Sequence, residues 1–309
     1  MAGIVRRYPL TCFFVAVYGI TWLFWLPYAL SEDGLGWWHF RFPEVLGDTQ
    51  LAGLLVGGYL GPFASAFAVT ALADGVPGLR RWRARLFRWR IAPRWYLFSV
   101  LGIPLVLLAG SLVLTRDVHR VGVSMILLYL GGMVLQMLTS SLAEEPGWRD
   151  FALPRLQARH GPLLGTVILG PLWAWWHLPL FLTTWNRGGG GLRAIALFTL
   201  LAVAFSVVIT WAFNRTGESL PVAMLIHASN NNTFSVLTPV LLPGLVNSEQ
   251  VTVASLIGYG VLAVVLVIVT RGRLGYPGPV PGRTSGPGPG SGPAADRAEV
   301  ARSVGDVTT

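Results

Sequence analysis

Four residues of this chain have the types needed for hydrolysis, provided that folding brings them to one place. Glu144 and Glu145 stand side by side at the end of an apolar run, in Ser141-Leu142-Ala143-Glu144-Glu145-Pro146-Gly147-Trp148-Arg149-Asp150, and two later apolar runs each carry one histidine, His177 and His227. An ionisable group inside a bilayer is costly, so each one there is a functional hypothesis whose partner has to be named. Here the natural partners are one another. A carboxylate can take a proton from water with help from an imidazole, while donors on a second imidazole and an amide stabilise the oxyanion of a carbonyl under attack.

Spacing divides the work among them. Glu145 and Arg149 lie four apart in the favourable acid-before-base order, so Arg149 neutralises Glu145 and leaves Glu144 free to act. Trp173 precedes His177 by one helical turn, which places its ring where it shields the imidazole. His227 and Asn231 are also one turn apart, so an imidazole and an amide project from the same face. The chain has no HExxH zinc motif and no GxSxG elbow, and Asp74, Asp117 and Asp150 read as loop residues, which leaves no paired intramembrane aspartates. Glu144, His177 and His227 have the donor types to hold one divalent ion such as zinc, so the residues alone leave open a metal-free site or a metal site.

The elements that must position these residues are membrane helices. Of 309 residues 53% are hydrophobic and only 12% charged, and the mean hydropathy is +0.58. A hydrocarbon core takes about 20 apolar residues to cross as helix. Eight stretches meet that length, at approximately 9–30, 51–73, 96–115, 121–143, 163–184, 194–213, 219–242 and 251–270. The expected fold is an all-α polytopic bundle of about eight transmembrane helices over residues 1–273, followed by a disordered Gly/Pro/Ser-rich tail at 274–309. No internal repeat of the transporter kind is visible.

Arginine sets the orientation, because basic loops stay cytoplasmic. Before the tail, fifteen arginines fall on one side and five on the other, namely Arg41, Arg116, Arg120, Arg187 and Arg193. Both termini are then cytoplasmic, in a cell membrane, and the arginine bias suggests a bacterial source. The net charge of +9 serves the anionic leaflet rather than nucleic acid. The complete absence of lysine excludes a P-loop nucleotide site. Leu79, Trp82, Leu86 and Trp89 recur at helical spacing among arginines, which predicts an amphipathic interfacial helix. The lone Cys12 gives no disulfide framework.

Depth poses a problem for convergence. His227 lies about 12 Å into its span and His177 about 21 Å into its own by helix rise. A break at Gly170-Pro171 would reconcile them, provided that the fourth helix also continues through Glu144 with an adjusted turn at Pro146.

In their order and spacing, EExxxR (Glu144, Glu145, Arg149), aromatic-xxx-His (Trp173, His177) and HxxxN (His227, Asn231) resemble the three motifs of the CPBP family. This CAAX-protease and bacteriocin-processing group includes the type II CAAX prenyl endopeptidases. The resemblance is strong over about residues 121–242, with Trp173 standing where the family usually has Phe. It implies an intramembrane endopeptidase in which Glu144 and His177 activate water and His227 and Asn231 form the oxyanion site. Glu145, Arg149 and Trp173 support them. The implied partners are the lipid bilayer and a peptide or membrane-anchored protein substrate, with no nucleotide or nucleic acid. The alternative is a non-catalytic role in bacteriocin immunity or partner binding through the same cavity, with a transporter ranked third.

Overall fold

A bilayer core offers backbone N–H and C=O groups no water, so a crossing chain must satisfy them within itself, and helix does so locally. A computed structural model of the chain describes residues 2–186, 191–245 and 247–278, and among the described residues there is no strand beyond an isolated bridge between Val45 and Asp48. The long helices are α1 (Pro9–Leu30), α2 (Gln50–Leu86), α3 (Pro93–Ser111), α4 (Val123–His160), α5 (Pro162–Trp176), α6 (Leu192–Arg215), α7 (220–241) and α8 (Ser248–Thr270). With the 3₁₀ turn Leu178–Leu182 added to α5, all but α7 are long and apolar enough to cross a membrane, seven in number among the described residues. The expected run at 219–242 is helical, but His227, Ser229, Asn230, Asn231 and Asn232 lower its hydropathy. The protein is a multi-pass membrane protein. Of the expected tail, residues 279–309 lie outside the described residues.

Two expectations need correction. Asp150 is not a loop residue: α4 runs on to His160, and Arg149 and Asp150 are both fully buried. Proline at position 146 removes one backbone donor and crowds the preceding turn, which would ordinarily break a helix. Here the helix widens instead, with π-helical turns at Met137–Ser141 and Pro146–Ala152 on either side of the two glutamates. Such widened turns relieve the missing bond and re-aim side chains. Nor is there a break at Gly170-Pro171, since α5 passes straight through both. Gly170 serves packing: a Cβ there would come within 2.8 Å of the Val203 backbone on α6, which lies against α5.

The sharp turn at Gly161, where φ is +78°, joins α4 to α5 as a hairpin. Glu144 and His177 are almost equidistant from Gly161 along the chain, so antiparallel helices bring them to the same level. The hairpin brings Glu144 level with His177 without a broken helix, and His227 meets them from α7 through Glu145 and Trp173. Beyond α5, α6 packs on α8, α8 on α3, and α7 on α4.

The predicted amphipathic helix is present as the end of α2, beyond a kink at Gly75 with φ +61°. Trp82 is buried among the arginines, whereas Trp89 falls past the helix end and is exposed.

Candidate active site

The first acidic residue on α4 reaches a neutral donor. The Trp173 indole Nε1 donates to Glu144 Oε2 at 2.8 Å. Its neighbour reaches charge: Glu145 Oε1 accepts from Arg149 Nη1 at 3.1 Å, the i,i+4 pair that the spacing predicts, and from His227 Nδ1 at 2.7 Å. Burial separates the two further, because Glu144 keeps 7% of its surface accessible and Glu145 keeps none. Of the two, only Glu144 keeps any accessible surface.

Both histidines are tied by the same ring atom. His177 caps the end of α5 and its Nδ1 faces the Trp173 carbonyl at 2.9 Å. A carbonyl can only accept, so Nδ1 carries the proton and Nε2 is the basic nitrogen. His227 uses its Nδ1 on the Glu145 carboxylate. Two imidazoles with Nδ1 anchored present Nε2 as the working atom, and a buried partner holds each ring in place.

Trp173 stands among them. Its ring centroid lies 5.7 Å from that of His177 and 5.4 Å from that of His227, both edge to face, and the Arg149 guanidinium carbon sits 4.4 Å from its face. On its other sides His177 meets Trp25, Trp176, Trp185 and Phe198. These rings keep it in an apolar setting.

Asn231 is held less tightly. Its Nδ2 donates to Ser140 Oγ at 3.1 Å, and its Oδ1 accepts from Asn230 Nδ2 at 3.0 Å. Ser140 lies one turn before Glu144, so this bond ties the amide to the same face of α4. The structure thus brings Glu144, His177 and His227 around Trp173, and places Asn231 on the adjoining turn. The sequence reading missed Ser140, the link from Glu145 to His227, and Ser206, whose Oγ accepts from Arg149 Nη2 at 3.3 Å. A serine spaced four before Glu144 was a usable signal for the first. Nothing local announces Ser206, since its partner is on another helix.

Residues 126–233, which contain all of these groups except Trp25, match the family model of the type II CAAX prenyl endopeptidase Rce1-like proteins. Over that segment the chain is similar to the Rce1-like proteins. A curated relative, CAAX prenyl protease 2 of Methanococcus maripaludis, is 27% identical over 99 residues, covering 29% of this chain and 35% of the relative's own length. The chain thus matches little more than a third of that relative. Within that segment, the anchored histidines have the orientation that metal-bound histidines usually show. Among the described residues, however, no three His, Cys, Asp or Glu side chains are grouped so as to hold a metal ion. As placed, Glu144, His177 and His227 are not grouped as a set of metal ligands.

Proposed function

We propose that this chain is an intramembrane endopeptidase of the CAAX-protease type. Glu144 is the general base, taking a proton from water as the water oxygen attacks a peptide carbonyl. His177 Nε2 helps to orient that water. His227 and Asn231 stabilise the oxyanion, a role that His227 performs as an imidazolium, donating from Nε2 while Nδ1 stays on Glu145, with Glu145 and Arg149 holding it from behind. The observation that carries this reading is the contrast in reach: among the paired glutamates the accessible one has a neutral donor, while the sealed one has the guanidinium. A group held for proton transfer needs that freedom.

The substrate is a peptide or a membrane-anchored protein cut near the cytoplasmic surface, and the likeness to a protein called CAAX prenyl protease 2 makes C-terminal CAAX-type peptides the first to try. With Arg149 removed from the arginine count because it is buried, the asymmetry still favours cytoplasmic termini in a bacterial cell membrane, with α7 as the eighth crossing. One observation favours the non-catalytic alternative: the Asn231 amide already donates to Ser140, as in a settled structural contact.

Cleavage of a membrane-anchored peptide library by wild type and Glu144→Gln, with and without a chelator, tests the proposal. Loss of the base lowers cleavage by roughly a hundredfold or more with insertion unchanged. Equal cleavage by the two proteins refutes Glu144 as base, and chelator sensitivity would restore the metal alternative.

A further inference from the structure

We infer that Trp173 is a positioning residue whose indole N–H selects the Glu144 oxygen that receives the proton. The inference rests on the reading of Glu144 as base and deepens it. An indole N–H is a donor only, so Glu144 Oε2, 2.8 Å from it, is committed as an acceptor. Oε1 is then the oxygen that takes the proton. The proton passes from water to Oε1, the water oxygen bonds to the carbonyl carbon, and the carbonyl π electrons move to its oxygen.

The same residue fixes the other half of the pair. Its backbone carbonyl accepts from His177 Nδ1 at 2.9 Å, so side chain and main chain of one residue orient the two groups that face the water. The indole itself has little freedom. It is 5% exposed, lies beneath the Arg149 guanidinium at 4.4 Å, and meets the rings of His227 at 5.4 Å and Phe205 at 6.0 Å. A phenylalanine at 173 would keep the ring contacts and the carbonyl bond, yet leave Oε2 without this donor.

The test replaces Trp173 with β-(3-benzothienyl)alanine, in which sulfur stands for the N–H at nearly the same shape, and compares it with Trp173→Phe and Glu144→Gln. The isostere should lose roughly tenfold in kcat with KM within about twofold, because the interaction acts on the proton transfer and not on substrate binding. The infrared difference between wild type and Glu144→Gln isolates the Glu144 carboxyl band, which should shift in the isostere while the thermal midpoint holds. An isostere with wild-type kcat and an unshifted band would overturn the inference and leave the base assignment intact. Wild-type cleavage by Glu144→Gln would instead overturn the base assignment, and this inference with it.

Discussion

Glu144 and Asp150 are carboxylates within about two turns of each other on α4, and their surroundings differ in kind. Asp150 has no exposed surface and is clamped by Arg85 from α2, whose Nε meets its carboxylate and whose Nη2 donates to its backbone carbonyl at 3.3 Å. The same guanidinium reaches Glu218 through Nη1 at 2.8 Å. Glu144 is bonded to a neutral indole and remains reachable. A charge buried for architecture receives a counter-ion and is sealed, because an unpaired buried charge costs several kcal/mol. A charge kept for chemistry receives a neutral donor that orients it without quenching it.

The comparison can be broken from the architectural side. Asp150→Asn should lower stability by about 2 kcal/mol, since it removes a charge-assisted partner of Arg85 while Glu218 remains. Denaturant unfolding in mixed micelles checks the loss, and an unchanged midpoint would mean that the clamp does not hold the π-helical turn. A smaller effect is expected at the neutral amide pair where Gln157 and Asn214 bond reciprocally at 3.2 and 2.7 Å. Gln157→Ala should cost about 1 kcal/mol in the same assay, because Asn214 keeps its bond to the Leu274 carbonyl. The smallest belongs to the surface pair of Arg81 and half-buried Asp74, 3.9 Å apart, where Asp74 keeps its pairing with Arg155 and Arg81→Gln should change stability by less than roughly 0.5 kcal/mol. A larger loss there would place the arginine-rich end of α2 in the structural core.

These contrasts were only partly legible in the sequence. Glu145 with Arg149 could be read from spacing because both partners lie on one helix, and His177 and His227 stood out because imidazole is conspicuous in apolar runs. The helical fold followed from hydropathy for the same reason. Asp150 was taken as a loop residue because its partner, Arg85, is on another helix and no local pattern links them. The adjusted turn at Pro146 was anticipated as a condition for convergence, but how far α4 runs past it was not, because the proline rule describes a regular α-helix and the chain adopts a wider turn. Gly170-Pro171 looked like a break, yet glycine there permits helix contact and the proline is accommodated within α5. The role of Trp173 was half visible. Its position beside His177 follows from periodicity, whereas the reach of its N–H to Glu144 depends on how α4 and α5 face each other across the Gly161 turn.

The most direct measurement follows unfolding and cleavage on the same bilayer-reconstituted samples of wild type, Glu144→Gln and Asp150→Asn, with one membrane-anchored peptide that the wild type cuts. The account predicts that Glu144→Gln is as stable as wild type and cuts roughly a hundredfold more slowly or worse, while Asp150→Asn is less stable but cuts at the wild-type rate per folded molecule. Wild-type cleavage by Glu144→Gln, or a fully stable Asp150→Asn that has lost its cleavage, would contradict the division between a carboxylate for chemistry and a carboxylate for structure.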